Sequence, residues 1–234
     1  MLSKTSALLA FLCCMKTSTL ALVPNAYLNK GMKASFTQLH AGKTIAIFGA
    51  SGLTSSECVY QALKNGDKVV GLTRNPSKLV IPAGSGGSAA GAPLVDENLS
   101  MIQGSVTNYQ DVQKVFADHK IDGVIVGLGG KTKEVGDTML TDGTRNIMSA
   151  MKEKGVKRLA VITSIGAGDS KDQAPFFFKI LMATAMKKIF NDKNNQEQEV
   201  MKSGLEYCIV RPGGLTVEVS FLYVSTPKYV CIQT

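Results

Sequence analysis

The stretch from Lys43 to Arg74, KTIAIFGASGLTSSECVYQALKNGDKVVGLTR, decides the fold of this 234-residue chain. Thr44–Phe48 is a short apolar run with the composition of a strand buried on both faces, not of an amphipathic helix. It runs into Gly49-Ala50-Ser51-Gly52. Ser55 to Lys64 then has the length of a helix, with Asn65-Gly66 as its C-cap, and Lys68 to Leu72 reads as a second strand. A dinucleotide site needs glycine where the turn is tight and where backbone approaches the pyrophosphate, and it needs the free N–H groups of a helix N-terminus. Gly49 and Gly52 suit those roles. The third fingerprint position, where glycine lets helix and strand pack closely, is Ser55, giving G-x-x-G-x-x-S. The bland alternatives are a βαβ unit that binds nothing and one that binds a different phosphate ligand.

The end of the second strand discriminates between cofactors. An acid there would bind the ribose 2′-hydroxyl of NAD, whereas arginine accommodates the 2′-phosphate of NADP. The chain has Thr73-Arg74, with Ser77 and Lys78 close behind and no acid between Asp67 and Asp96. NADP(H) is therefore expected over NAD(H), unless Arg74 is only a solvated surface residue.

Upstream of this unit the composition changes. Residues 1–43 contain five lysines and no acid, which leaves 21 basic against 18 acidic side chains in the remainder. The net charge of +8 is largely an effect of this segment and does not indicate a nucleic-acid surface. Lys4, the apolar run Ala7 to Met15 and the small residues before Pro24 resemble a secretory signal peptide, too short to span a bilayer. Asn25 to Lys43 is hydroxylated, basic and acid-free, as transit peptides are. Together they resemble the bipartite leader of proteins sent to algal secondary plastids. Residues 1–41 are accordingly expected to be a targeting leader. A single secretory or mitochondrial leader is the alternative.

Downstream, Ile81 to Pro93 (IPAGSGGSAAGAP) is a low-complexity run expected to form a flexible surface loop. Leu99 to Gln103 makes a third strand, ending in Gly104-Ser105-Val106. Thr107 or Asn108 is expected to cap a helix running to about His119, with Val112, Val115 and Phe116 inward. Gly123 to Gly127 is a fourth strand followed by Leu128-Gly129-Gly130, glycines placed where backbone can approach a ligand in the crevice. A helix from about Met139 to Lys154 leads to a fifth strand, Arg158 to Thr163, which brings Thr163 and Ser164 to the same crevice.

Ala174 to Phe190 reads as one apolar helix whose Phe176, Phe177 and Phe178 are expected to pack rather than to roof a substrate site. A polar helix follows over Asp192 to Lys202, and Leu205 to Val210 is a sixth strand before Arg211-Pro212-Gly213-Gly214. Alternating strands and helices of these lengths imply an α/β fold: one doubly wound parallel sheet in a single domain, residues 42–217, with 218–234 an atypical or truncated tail. Five cysteines and two histidines show neither a disulfide framework nor metal-ligand spacing, and Cys58 is expected to be a packing residue.

The segments IAIFGASGLTS, VVGLTRNPSKL, GVIVGLGG, DGTRNIMSAMKEKGVKRLAVITSIGAGDS, QAPFFFKILM and SGLEYCIVRPGGLT resemble an atypical short-chain dehydrogenase/reductase of the NmrA-like, NAD(P)-binding group, similar to the flavin reductase/biliverdin reductase B type. The resemblance spans about Lys43 to Thr216. It implies a Rossmann-like sheet in the order 3-2-1-4-5-6 and pyridine-nucleotide binding. On it, Gly49, Ser51, Gly52, Leu53 and Thr54 match the pyrophosphate loop, and Arg74 the 2′-phosphate contact. Ser105 and Val106 stand where relatives commonly have Asp-Val against the adenine. Gly127, Leu128 and Gly129 match the loop beside ribose and nicotinamide, Thr163 and Ser164 the family serine, and Arg211, Pro212 and Gly213 the loop near the nicotinamide amide.

The family's tyrosine–lysine pair is missing: no tyrosine lies between Ser164 and Tyr207. In that pair a lysine one helical turn later lowers the tyrosine pKa for proton transfer. Relatives of the flavin-reductase type manage without it, because a flavin or bilin accepts hydride from NADPH and a proton from solvent. The expected function is therefore an NADPH-dependent oxidoreductase acting on a flavin, bilin or quinone, with Ser164 orienting nicotinamide or substrate. The rival is a non-catalytic NADP(H)-binding redox sensor or plastid assembly factor with a protein partner.

Overall fold

The computed structural model describes residues 42–129 and 136–212, with the backbone of Leu2–Ser3, Leu215–Thr216 and Cys231–Gln233. Strands β1 (Thr44–Phe48), β2 (Lys68–Thr73), β3 (Leu99–Gln103), β4 (Gly123–Val126), β5 (Arg158–Ile162) and β6 (Glu206–Val210) form a parallel sheet in the order β3-β2-β1-β4-β5-β6. This is the Rossmann-like order expected. A seventh strand, β7 (Cys231–Gln233), pairs antiparallel with β6, so part of the tail extends the sheet. Apart from Leu2–Ser3, whose backbone pairs with Leu215–Thr216, the expected leader lies outside the described residues.

Period-two alternation sends successive strand residues to opposite faces. Ile45, Ile47, Val69 and Ile125 pack with Cys58, Val59 and Ala62 of α1 (Leu53–Lys64). Ala46, Phe48, Val70, Leu72, Val124 and Val126 pack on the other face, with α2 (Tyr109–Val115), α3 (Met139–Glu153) and α5 (Lys187–Met201). The chain therefore changes face between β3 and β4, as right-handed crossovers on both sides of β1 require. Burial pushes the Cys58 thiol pKa up, with Glu57 adding to it, so Cys58 is an inert packing group.

Several boundaries differ from expectation for identifiable reasons. Helix α1 begins at Leu53, directly after the glycine turn. Asn108 does cap α2, its Oδ1 accepting from Gln110 N at 3.0 Å, but the helix ends at Val115. The expected single helix over Ala174 to Phe190 is two: α4 (Phe176–Ala183) and the start of α5. Thr184 ends α4 by turning its hydroxyl back to Ile180 O at 2.8 Å. Of the three phenylalanines only Phe178 packs inward; Phe176 and Phe177 are 72% and 84% exposed.

The glycine-rich loop is not a free surface loop either. It occupies the connection where a helix would otherwise cover this face, and Leu79 and Leu94 flanking it join the α1 cluster. Ser85 Oγ donates to buried Glu57 at 2.6 Å, and Gln61 Nε2 donates to Ser85 at 3.1 Å. A Cβ on Gly84 would overlap Glu57 Oε1, so the missing side chain is what permits this docking.

Helices α3 and α5 are locked together by a buried carboxylate. Asp192 accepts from the N–H groups of Leu140 and Thr141 at 2.8 and 3.0 Å and from the Thr141 hydroxyl, satisfying the N-terminus of α3 from a neighbouring helix. Asp192→Ala leaves those donors buried without partners, and a loss of about 2–3 kcal/mol in urea-denaturation stability is expected.

Candidate functional site

Two glycine turns meet where the chain changes direction, at the carboxyl ends of β1 and β4. Gly49 turns with φ +78°, and its N–H and that of Ala50 donate to Leu72 O at 2.9 and 3.2 Å. A Cβ on Gly49 would stand 2.9 Å from Gly127 O, and one on Gly127 would overlap Ser55 Oγ. Neither position has room for a side chain. Ser55 Oγ donates to Gly127 O at 3.1 Å, so the third fingerprint position closes α1 onto β4 with a hydrogen bond.

Between these turns opens a cleft of about 650 Å³. Gly52, the N-cap residue of α1, lines it with Leu53 and Thr54. No acidic side chain occupies the first turn of α1 and no side chain caps it. The N–H groups of that turn have no partner within the helix, which makes the site a receptor for an anion. Ser51 Oγ and Thr73 Oγ1, 2.6 Å apart, tie the glycine loop to the end of β2, and exposed Arg74 follows on the cleft wall. Leu72, Leu128, Met139, Ile162 and Pro212 supply apolar surface. Among the described residues, two cationic side chains, Arg74 and Lys193, line the cleft, and no acidic residue does.

Most of the residues singled out from sequence meet here: Gly49, Ser51, Gly52, Leu53, Thr54, Arg74, Val106, Gly127, Leu128, Gly129, Thr163 and Pro212. Gly213 lies outside the described residues. Three others do not form the wall. Ser105 turns its hydroxyl to Thr107 Oγ1 at 2.8 Å, leaving Gly104 and Val106 at the cleft. Ser164 donates to Ile165 O at 3.1 Å and is half-buried. Arg211, 1% exposed, is held away from the cleft by a bidentate pair with Glu197, Nε to Oε1 at 3.0 Å and Nη2 to Oε2 at 2.6 Å, and by Asp169. A Cβ on Gly168 would stand 2.5 Å from the Arg211 guanidinium. The hydrogen bond and charge of Arg211 hold the Asp169 carboxyl below the usual carboxylate range.

This buried cluster nonetheless reaches the cleft through Thr163, whose Oγ1 donates to Glu197 Oε1 at 2.6 Å. With that proton committed, the lone pairs of the Thr163 hydroxyl remain available to a ligand. One turn before Glu197 on α5 stands Lys193, half-buried, which sequence reasoning missed. Burial pushes its pKa down to about 8 against the opposing charges of Glu197 and Asp192. The available signal is that α5 connects two parallel strands and must pack on the sheet, so a helix reading polar throughout has to place some of its polar side chains inward.

The site fits a dinucleotide by its own geometry: a cradle that any Cβ would fill, unpartnered helix N–H groups, and, among the described residues, cations without acids. A family profile described as NAD(P)H-binding matches residues 49–228. The chain is 26% identical over 204 residues to Reductase pytE of Aspergillus terreus, covering 74% of this chain and 76% of that protein. It is 28% identical over 182 residues to an uncharacterized chloroplastic protein of Arabidopsis thaliana, covering 74% and 59%. Beyond the first, it spans about half the length of the curated relatives it matches. Solved structures of like fold include a short-chain dehydrogenase/reductase of Veillonella parvula in complex with NADP, at TM-score 0.56 and 16% identity over 72% of this chain and 68% of that one. Another is ChuY, an anaerobillin reductase of Escherichia coli O157:H7, at TM-score 0.53 and 21% identity over 73% and 72%.

Arg211→Met strands the Glu197 carboxylate, and a stability loss of about 3–5 kcal/mol is expected in denaturant titration. Lys193 is neutral above pH of about 8, so its labelling by an amine-specific reagent, followed by mass spectrometry, should rise through that pH.

Proposed function

This chain belongs to the NAD(P)H-binding family, and from that premise we propose that it is an NADPH-dependent oxidoreductase reducing a flat conjugated acceptor such as a flavin, bilin or quinone. The observation that carries the cofactor choice is Arg74. It lines the cleft at the end of β2, in a wall without acidic residues, and makes no ion pair among the described residues. That position accommodates a ribose 2′-phosphate, with the Thr73 hydroxyl beside it. The backbone of Gly49, Gly52, Leu53 and Thr54 would hold the pyrophosphate, and Val106 would lie against the adenine.

NADPH, when bound, supplies the hydride. The chain's contribution is to position and to dry the site. Gly127 and Gly129 allow close approach of backbone to the nicotinamide end, and Thr163 offers a hydrogen-bond acceptor there. The ammonium of Lys193 offers donors to ribose hydroxyls or to an acceptor carbonyl. Met139, Ile162, Leu128 and Pro212 give the apolar surface that a planar conjugated ring needs.

No tyrosine lines the cleft among the described residues, and Tyr207 is buried in the core. This favours acceptors that take a proton from solvent over carbonyls that need a positioned phenol. The reductase names of the Aspergillus terreus relative and of ChuY support the oxidoreductase class. The missing tyrosine also leaves a second reading, a non-catalytic NADP(H)-binding sensor or assembly factor. The chloroplastic relative supports a plastid setting for either.

Arg74→Ala should weaken NADPH binding about tenfold or more, the loss of a charge-assisted contact, while NADH affinity stays within about twofold. An unchanged NADPH preference refutes the assignment of Arg74. Oxidation of NADPH with a panel of flavins, bilins and quinones should show turnover with at least one. Saturable binding without turnover on any of them would establish the sensor reading instead.

A further inference from the structure

Among the described residues, the ionisable side chains that line the cleft are Arg74 and Lys193. They stand at opposite ends of it. Arg74 follows β2, while Lys193 lies beside the end of β5, one helical turn before the Glu197 that holds Thr163. The ends of β2 and β5 are three strand spacings apart in the sheet, roughly 14 Å. With the phosphates at Arg74 and the glycine turn, nicotinamide and acceptor fall at the Lys193 end.

Reduction of an acceptor needs a proton as well as a hydride, and few groups here can release one. The Thr163 hydroxyl has committed its proton to Glu197. The Ser51 and Thr73 hydroxyls bond to each other at the far end, and arginine keeps its proton at any working pH. Met139, Ile162 and Pro212 have none to give. Lys193 differs: it is half-buried at the cleft, and its ammonium makes no hydrogen bond or ion pair among the described residues. Its carboxylate neighbours are engaged elsewhere, Asp192 with the N-terminus of α3 and Glu197 with Arg211 and Thr163. Granted the oxidoreductase reading, we propose that Lys193 is the catalytic acid of this site, its ammonium passing a solvent-derived proton to the acceptor atom on which charge gathers as the hydride arrives.

In this step the acceptor gains a hydride with its two electrons from NADPH, which is oxidised to NADP+. An N–H bond of Lys193 breaks as that proton bonds to the acceptor nitrogen or oxygen that would otherwise carry the negative charge. Lys193 is left a neutral amine and regains a proton from solvent. Burial pushes its pKa down to about 8 against the charges of Glu197 and Asp192, so it is protonated at neutral pH yet gives up its proton more readily than an ordinary lysine. The neighbouring elements leave this balance to those two carboxylates. Arg211 after β6 and Asp169 after β5 are paired within the Glu197 cluster, Asp142 and Arg145 of α3 pair at the surface, and Lys179 of α4 meets Asp172.

The experiment takes the unmodified chain, Lys193→Ala and Lys193→Arg, with whichever of FMN, biliverdin and menadione the unmodified chain reduces fastest. Both variants should lose about 100-fold or more in kcat, because arginine keeps the charge and the donors but has no proton to release. The kcat of the unmodified chain should fall as pH rises through about 8, where the ammonium is lost, and the variants should lack that fall. Ethylamine should restore part of the Lys193→Ala rate. A readout without turnover is amine labelling of Lys193 in the unmodified chain. NADP+ alone should leave labelling within about twofold, and NADP+ with the oxidised acceptor should lower it about fivefold or more, as the ammonium becomes hydrogen-bonded. Lys193→Arg that keeps the rate, Lys193→Ala that keeps the pH profile, or labelling suppressed by NADP+ alone overturns the assignment and leaves the oxidoreductase reading standing; the last result would give the ammonium to the ribose. If the variants fail to fold, the labelling and pH profile of the unmodified chain still decide. A chain that reduces none of the three acceptors overturns both.

Discussion

The cleft depends on how closely two backbones approach at the ends of β1 and β4. Gly49 sits against Gly127, and Gly127 against Ser55, at separations that leave no space for a methyl group. This contact brings the N-terminus of α1 over the sheet edge and separates the first and fourth strand ends into the two walls of a crevice. An anion then meets N–H groups whose orientation is fixed before it arrives, so little ordering cost falls on binding. The Ser55 hydroxyl pins the same contact from the helix side. A larger residue at any of these positions would move a helix, a strand end and a cleft wall together.

On the far wall the geometry is set by charge. Arg211 and Glu197 are both buried and paired in two hydrogen bonds, and Asp169 completes the guanidinium's partners. Desolvating such a pair costs several kcal/mol, and a well-packed apolar replacement would often serve stability as well. What the pair secures is direction. Arg211 fixes the Glu197 carboxylate, which accepts a hydrogen bond from the Thr163 hydroxyl and leaves the Thr163 lone pairs for the cleft. Arg211, which its place after β6 marks as a binding residue in the sequence, thus acts one layer behind the surface.

This explains what was legible. The sheet order and the first cleft wall are written in local patterns: apolar runs of strand length, glycine at strand ends, and arginine closing β2. Such patterns survive without knowledge of the neighbours. Arg211, Ser105 and Ser164 suggest themselves by their nearness in sequence to strand ends. Their side chains, however, are oriented by a partner on another element or by near neighbours in the chain, namely Glu197, Thr107 and the Ile165 carbonyl. The docking of the glycine-rich loop is hidden for the same reason, because low-complexity composition reports flexibility while Glu57 on α1 supplies the anchor.

Lys193 is hidden by composition of another kind. Asp192 to Lys202 reads as a polar helix, yet α5 must cover one face of the sheet between β5 and β6. Its buried Asp192, Gln196, Glu197 and Val200 recur at one helical face, and Lys193 falls on the edge of that face. Each inward polar side chain makes at least one hydrogen bond, although Gln196 Oε1 accepts none among the described residues. Asp192 closes the N-terminus of α3, Gln196 donates to Thr144 Oγ1 at 2.8 Å, and Glu197 holds Arg211 and Thr163. A lysine on the edge of such a face is exposed to the cleft on one side and to two carboxylates on the other. Burial favours its neutral form and the carboxylates favour its charged form, with burial prevailing. The result is a cation that responds to whatever anion or hydroxyl enters the cleft, supplied by a helix and not by a strand end.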